Sequence, residues 1–513
     1  MKLRKTAAAA VCLTALAMPA AASAADPPPG AIKNMEFVKN LPEGRQSTAI
    51  NFLTYGKGSK ERVVMLITGR FGLKTYDMAN PENPVLLDEL GNDQLVLQYD
   101  LDLGRTPSAS RTYWQNEDMD VDQNRKLAFL SRDPRAFGGS TNSNTDVAGV
   151  YIVNAKDPAN LSLITFKQLP TGHTTSCVND CEFLWTGGPA SSQSQRDDLG
   201  WAGGRPIIVT DIRDPANPIS YPSRPVDLFR QDGVTAYAHD VDVDATGVAW
   251  VSGLGGMRGY WTDGMHRDPR DGVLKRATPL DPVPYAGGGF PDDAVNEVAA
   301  PGGWMHNGLR PAGADIKHGP DLGQGYKPGE LVMGTEEWFN STTCDGEGQF
   351  TIASLKGSYD GEGWRSTAQN KFRLKKVGTW SVKDKEATIP LNSCSAHYFD
   401  LQNGLIAYGW YGQGTRILDI SNPENPIQVA YFRPDGGNVW ASYWYGDYVI
   451  VADNARGIDI LKMTAGQKKA SAARNEVVAP KMSQAQQSFL RKVQTDEFAA
   501  DPQLGWVCPL PRI

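Results

Sequence analysis

One stretch decides the fold of this chain: Ile417-Leu-Asp-Ile-Ser-Asn-Pro-Glu-Asn-Pro426. It combines a short apolar strand, an Asp and a turn set by Asn and Pro, and the chain repeats this pattern. Three further clear copies and two fainter ones are Thr75–Pro84, Tyr151–Asn160, Val209–Pro218, Phe350–Leu355 and Ile458–Leu461. Because so small a unit cannot bury its own apolar face, the repeats predict an array of packed sheets.

Seven such units follow one another between residues 51 and 463. Many of their strands alternate apolar and polar residues, which is the period of a half-buried strand. A ring of small sheets leaves only short, protected edges, so the pattern predicts an all-β, seven-bladed β-propeller. The 513 residues, with 53 Gly and 34 Pro, are compatible with one ring plus tails.

The two ends fall outside the predicted ring. Residues 1–24 have a cationic start, an apolar run and small residues before a cleavage site, which predicts a signal peptide. Residues 25–50 form an N-terminal extension, in which Met35–Lys39 is a candidate strand for closing the first or last blade. Residues 464–513 form a C-terminal tail, for which the apolar spacing predicts one short amphipathic helix.

The best copies of the repeat resemble a known family. Gly72–Pro84, Thr415–Pro426 and Ala452–Leu461 are similar to the LVIVD repeat of secreted and surface-exposed bacterial β-propellers. The resemblance implies an extracytoplasmic propeller. It implies no activity, because the family is named for a repeat and fold alone does not determine function.

Export gives the cysteines a specific meaning. We expect an extracellular, cell-surface or periplasmic monomer, in a compartment where disulfides persist. Five cysteines follow the predicted signal peptide, so we expect two disulfides and one free thiol. Cys177 and Cys181 can close a small ring, whereas Cys344, Cys394 or Cys508 can tie distant segments together.

Composition limits the classes of partner. The formal net charge is −7 and the pI is near 5.5, without the basic stripe that nucleic-acid binding requires. No segment after the signal peptide is long and apolar enough to predict a transmembrane helix. The remaining partner classes are an extracellular protein, a glycan or a small molecule.

Histidine is rare in this chain, and most of it occupies one place in the repeat. Of six histidines, four open consecutive blades: His173, His239, His306 and His397. In a propeller, equivalent blade-opening positions converge on the mouth of the central channel. Because neutral imidazole is a common ligand of copper, iron and zinc, the four histidines predict one transition-metal site.

Four carboxylates are candidates to orient these imidazoles through hydrogen bonds: Glu117, Glu182, Glu336 and Glu337. Two other propeller families, the carotenoid cleavage oxygenases and the selenium-binding proteins, are similar in architecture, since they hold an axial metal through histidines of several blades. None of their sequence motifs occurs in this chain.

The sequence leaves two functions open. The first is an exported binding or scaffold propeller, in which inserted loops, Met257–Gly303 above all, form a recognition face. In that case the histidines hydrogen-bond neighbouring blades. The second is a metal-dependent oxidoreductase, using copper or iron, with the four histidines as ligands and one open coordination position. Bound metal distinguishes the two.

Overall fold

Seven small antiparallel sheets make up the described part of the chain. The structure is a computed structural model and describes residues 31–140, 146–188, 207–221, 238–253, 256–268, 272–288, 305–311, 328–337, 344, 346, 348–355, 374–383 and 394–464. Within these residues the strands form seven four-stranded sheets in chain order, with a fifth strand on one sheet and one separate hairpin. The predicted all-β, seven-bladed β-propeller is therefore confirmed.

The first two strands of the chain belong to its last two blades. These strands are β1 (Ala31–Lys33) and β2 (Met35–Leu41). Blade 1 contains β3 (Ser47–Tyr55), β4 (Arg62–Gly69), β5 (Gly72–Asp77) and β6 (Val85–Gly91). Blade 2 contains β7 (Gln115–Asp122), β8 (Leu127–Arg132), β9 (Ala148–Asn154) and β10 (Ser162–Leu169). Blade 3 contains β11 (Thr174–Val178), β12 (Phe183–Gly187), β13 (Ile208–Asp211) and β14 (Ile219–Ser220).

Blade 4 carries an additional hairpin between its third and fourth strands. Its strands are β15 (Ala238–Val243), β16 (Val248–Gly253), β17 (Gly256–Trp261) and β20 (Val283–Gly288), and the hairpin consists of β18 (Met265–Arg267) and β19 (Leu274–Arg276). Blade 5 contains β21 (Met305–Leu309), β22 (Leu331–Glu336), β23 (Phe350–Ser354) and β24 (Lys375–Trp380).

Blades 6 and 7 complete the ring. They contain β25 (Phe399–Gln402), β26 (Leu405–Gly409), β27 (Thr415–Asp419) and β28 (Ile427–Arg433), and then β29 (Val439–Tyr445), β30 (Tyr448–Asp453) and β31 (Gly457–Met463). Two short helices, α1 (Asn92–Leu95) and α2 (Gln98–Asp102), connect blades 1 and 2. Short 3-10 turns lie at Pro42–Gly44, Gly58–Lys60, Ala136–Gly138 and Pro328–Glu330.

The N-terminal segment closes the ring of blades, and Met35–Lys39 lies in the strand that does so. Strand β2 pairs antiparallel with β31 as the outer strand of blade 7, and β1 pairs with β28 as a fifth strand of blade 6. The buried Asn40 side chain reinforces this closure, because its Nδ2 donates to Asp459 Oδ1 at 2.8 Å and to the Arg456 carbonyl at 3.2 Å.

The repeated motif forms the same turn in four blades. Its Asp or Asn accepts a hydrogen bond from the backbone N–H two residues later, which fixes the exit from the third strand. The pairs are Ala79 to Asp77, Lys156 to Asn154, Arg213 to Asp211 and Ser421 to Asp419, at 2.8–3.1 Å. The turn also contacts the preceding blade, since Thr75 Oγ1 donates to the Pro158 carbonyl at 2.6 Å.

Neighbouring inner strands are joined by hydrogen bonds as well as by apolar packing. The first strand of each blade lies nearest the axis, and several of these strands bond the backbone of the next through one polar side chain. The bonds run from Asn51 Nδ2 to Met119 O, Cys177 N to Asp120 Oδ2, Ser176 Oγ to Val241 O and Trp444 N to Asp400 Oδ2, at 2.6–3.0 Å.

Two disulfides fasten the described residues, and both join cysteines that the sequence singled out. Cys177 bonds to Cys181, and Cys344 bonds to Cys394. Such bonds are typical of an oxidising, extracellular environment. Cys508 lies outside the described residues, as do the predicted signal peptide and C-terminal helix. No helix of the described part is long and apolar enough to cross a membrane.

Two sequence boundaries differ from the structure. The inner strand of blade 1 begins at Ser47, before the expected start of the ring at residue 51. The expectation that Met257–Gly303 is an inserted roof is wrong for its first part, because residues 256–288 contain the outer strands β17 and β20 and the hairpin between them.

Replacing Asn40 with Ala should weaken ring closure, because it removes both hydrogen bonds to blade 7. We expect Asn40→Ala to lower the free energy of unfolding by about 1–3 kcal/mol in urea titrations. Glu36→Ala, an exposed position in the same strand, is the control and should change stability by less than about 0.5 kcal/mol. Equal stability of the two variants would contradict a closing role for Asn40.

Candidate metal centre

Each blade has one residue at or near the start of its first strand that we call its opening residue. In blade order, these opening residues are Thr48, Glu117, His173, His239, His306, His397 and Trp440. Thr48, His239, His306 and Trp440 are each skipped by the strand pairing, as the extra residue of a β-bulge. Glu117 lies in a longer irregularity of β7. A bulge redirects a side chain out of the regular alternation, and here it turns the opening residues toward each other.

The backbone holds these residues in place. The carbonyl groups of several opening residues accept a hydrogen bond from the preceding blade, so neighbouring opening residues are tied together. The bonds run from Glu117 N to His173 O, Thr174 Oγ1 to His239 O, His239 Nδ1 to His306 O and His397 Nδ1 to Trp440 O, at 2.7–3.0 Å. In His239 and His397 the Nδ1 proton is thereby committed to a carbonyl, which leaves Nε2 as the basic nitrogen.

The four predicted histidines and Glu117 meet in one buried cluster. Glu117 Oε2 lies 2.9 Å from Nε2 of His239, 3.1 Å from Nε2 of His173 and 3.5 Å from Nε2 of His306. The imidazole ring of His397 lies 4.0 Å from that of His306, measured between centroids. All five side chains are fully buried.

The spacing within the cluster suits a single metal ion. The Nε2 atoms of His173 and His239 are 3.3 Å apart, and each is about 3 Å from Glu117 Oε2. Ligands at such separations can share one ion with bonds of about 2.0–2.2 Å. Three overlapping donor sets fit within 4.8 Å: Glu117, His173 and His239; Glu117, His306 and His397; His239, His306 and Glu337.

Glu337 joins the cluster from the end of β22. Its Oε2 lies 3.8 Å from His306 Nε2, and its Oε1 accepts a hydrogen bond from the Tyr411 hydroxyl. Tyr411, which no sequence pattern connected with the site, is fully buried in the loop after β26, with its ring 5.1 Å from that of His397. Its φ is +27°, a conformation that costs energy for a residue with a side chain and that often marks functional sites.

The other two predicted carboxylates are elsewhere. Glu182 is exposed in the turn between β11 and β12, at the opposite end of β11 from His173, so the prediction that it orients an imidazole is wrong. Glu336 precedes Glu337 and is only half-buried. Burial and then the negative charge of Glu336 raise the pKa of Tyr408.

Burial keeps the His306 imidazole neutral. Desolvation, and then the nearby His397, His239 and His173, lower its pKa well below 6.5. Neither of its ring nitrogens has a hydrogen-bond partner among the described residues. A neutral imidazole with an available lone pair is the form that binds a transition metal.

Comparisons with known proteins add the following. No protein-family model matches this chain, and no curated protein matches it. Similar solved structures include Raptor from Chaetomium thermophilum (TM-score 0.44, 10% identity, 84% of this chain, 30% of that chain) and a Lactobacillus plantarum protein (TM-score 0.41, 10% identity, 79% of this chain, 89% of that chain). A third is the Cps50 (Swd1) β-propeller domain of Myceliophteria thermophila (TM-score 0.44, 8% identity, 84% of this chain, 100% of that chain).

Acid should destabilise the metal-free protein through His306. Its lowered pKa means that the unfolded chain binds a proton below about pH 6.5 that the folded chain does not bind. The free energy of unfolding should therefore fall below that pH, by at most about 1.4 kcal/mol per pH unit for this group.

Denaturant titrations of chelator-treated protein between pH 7 and 5 measure this slope. His306→Asn should make it shallower, and His266→Asn controls for the loss of an imidazole outside the cluster. An unchanged slope in His306→Asn would rule out His306 as the source of the acid sensitivity.

Proposed function

We propose that this chain is an exported β-propeller that binds one transition-metal ion on its axis, through Glu117, His173, His239, His306 and His397. The observation that carries the proposal is the convergence of these side chains from five consecutive blades on one buried point. Glu337, held by Tyr411, would complete or orient the ligand set. Copper, iron and zinc are the metals that this nitrogen-rich donor set favours.

The alternative, in which the histidines serve only to join blades, explains less of the geometry. It accounts for the Nδ1 atoms of His239 and His397, which donate to the next blade's carbonyl. It does not account for His306, which makes no such bond within the described residues. The contact of 3.3 Å between the Nε2 atoms of His173 and His239 fits either alternative, so His306 is the residue that distinguishes them.

Charge balance is consistent with a bound metal. A fully buried carboxylate such as Glu117 is costly unless a positive charge lies nearby. His306 stays neutral because its pKa is low, so that charge is left to a proton on His173 or His239, which lie 3.1 and 2.9 Å from Glu117 Oε2, or to a metal ion. Glu117 and the four imidazoles could hold a divalent cation, which would supply that charge.

A metal-dependent oxidoreductase is the catalytic form of this proposal. The observation that favours it is Tyr411, whose strained backbone and hydrogen bond to Glu337 fix a phenol beside the cluster. When bound, copper or iron would supply redox chemistry at an open coordination position. The protein would fix the position of the Tyr411 phenol, because Glu337 Oε1 accepts a hydrogen bond from its hydroxyl. Complete burial of the cluster would limit the access of water.

The remaining parts of the proposal come from the sequence. We propose that residues 1–24 direct export and that the repeat belongs to the LVIVD type, on the motifs quoted above. The disulfides Cys177–Cys181 and Cys344–Cys394 support an extracytoplasmic location. A binding or scaffold role, with an extracellular protein, a glycan or a small molecule, is compatible with a metal that only stabilises the ring.

Metal analysis tests the central proposal. Purified protein loaded with copper, iron(II) or zinc and then desalted should retain about one equivalent of at least one of them, measured by plasma mass spectrometry. His239→Ala should lose the metal, and the near-isosteric Glu117→Gln should weaken the metal Kd by at least about tenfold. His266→Ala, outside the cluster, is the control. Less than about a tenth of an equivalent of every metal in folded wild-type protein would remove the proposal.

Azide tests the catalytic form separately, because it binds a metal that has an open position. Copper-loaded protein titrated with azide should develop a new visible absorption band that saturates, whereas chelator-treated protein should not. A copper-loaded protein whose spectrum azide leaves unchanged has a closed ligand set. That result would assign the metal a structural role and leave the binding or scaffold function.

A further inference from the structure

A second feature lies at the same end of the ring, between blades 1 and 2. Arg70 occupies the turn between β4 and β5, and its guanidinium carbon lies 4.3 Å from the centre of the Trp114 ring. Trp114 is buried and precedes the strand that carries Glu117. A guanidinium stacked on an indole retains most of its hydrogen-bond donors for another group.

Both side chains offer donors that the described residues do not use. Arg70 Nη2 and Trp114 Nε1 are buried and have no hydrogen-bond partner within the described part of the chain. Burial also lowers the pKa of Arg70 to about 10, which is the effect of a charge without a nearby anion. Buried donors without acceptors are costly, so a ligand that accepts from both would be favoured.

The neighbouring cations already have carboxylate partners. Arg135 binds Asp133 through two hydrogen bonds of 2.7 and 2.8 Å, and Arg105 pairs with Asp146 at 2.6 Å. Arg70 Nη2, in contrast, has no partner among the described residues, and no carboxylate offsets the effect of burial on the pKa of Arg70. The Arg70 guanidinium is therefore a local positive charge, although the chain as a whole has a net charge of −7.

The turn is held in shape before any ligand arrives. Asn92 connects this turn with Tyr113, the residue before Trp114. Its Nδ2 donates to the Arg70 carbonyl at 2.9 Å, and its Oδ1 accepts from the Tyr113 N–H at 2.5 Å. A donor pair fixed in this way binds with less loss of conformational entropy than a flexible pair.

We propose that Arg70 and Trp114 bind an oxyanion, and that the natural ligand presents it as an organic carboxylate. The site goes beyond the metal centre and does not depend on it. It is close to that centre: Asp133 N donates to the Trp114 carbonyl at 3.3 Å, and Asp133 Oδ2 lies 4.0 Å from His173 Nδ1.

Calorimetric titration at low ionic strength tests the site with three probes: benzoate, its uncharged analogue benzamide, and sulfate. Chelator-treated protein should bind benzoate and not benzamide, and Arg70→Gln should weaken benzoate binding at least about tenfold, as expected for a lost charged hydrogen bond. Arg70→Lys keeps the charge without the planar fork and should recover only part of the affinity.

Arg111→Gln is the matched control, because it removes the same charge from an exposed position between blades 1 and 2. It should bind benzoate as the wild type does. Sulfate binding that also depends on Arg70, without benzoate binding, would support the site but assign it to inorganic oxyanions.

Three results would overturn the inference: no binding of either anion by folded wild type, equal binding by Arg70→Gln, or an equal loss in Arg111→Gln. Thermal unfolding of each variant separates loss of binding from loss of fold. Metal content of Arg70→Gln should equal that of the wild type, so failure of this site and failure of the metal centre are distinguishable.

Discussion

The whole site depends on how each blade begins. The opening residue of a blade leaves the regular strand pairing, and its side chain turns toward the axis while the carbonyl groups of several such residues bond to the preceding blade. A separate set of polar side chains, such as Asn51 and Ser176, joins neighbouring inner strands further along. Because these bonds also join the blades, the side chain of an opening residue does not have to do so in every blade. It can instead contact a ligand.

The parts that repeat could be predicted from the sequence. Both the turn motif and the blade-opening histidines recur with the blade, so their periodicity identified seven sheets and one convergent set of imidazoles. Glu117 was predicted only as one of four carboxylates that could orient the imidazoles, and its place at the opening of a blade explains why it lies among them. Glu182 was not correctly placed, because it follows β11; a strand of five residues carries it about 16 Å from the end where His173 lies.

Features outside the repeat could not be predicted in the same way. Tyr411 lies in a single loop, and no periodic signal connects it with Glu337. Strands β17 and β20 of blade 4 were taken for an insertion because this segment is rich in Gly and Pro. Arg258 in β17 is buried, β20 contains Pro284, and a hairpin separates the two strands in sequence. Their pairing is set by the rest of the blade, which supplies an edge for each to bond.

The opening residues differ in chemical type between the two sides of the ring. This difference relates the proposed metal site to the proposed Arg70 site. Side chains that could bind a metal open the five consecutive blades from 2 to 6, whereas Thr48 and Trp440 open blades 1 and 7. Thr48 Oγ1 already donates to the Thr68 carbonyl at 2.9 Å, and Trp440 offers an indole, so neither is a ligand for a transition metal. An ion bound by Glu117 and the histidines would be coordinated from one side of the axis. Its open side would face blades 7 and 1, and blade 1 carries Arg70. A carboxylate bound by Arg70 would therefore lie on the side of the ring from which the opening residues offer such an ion no ligand.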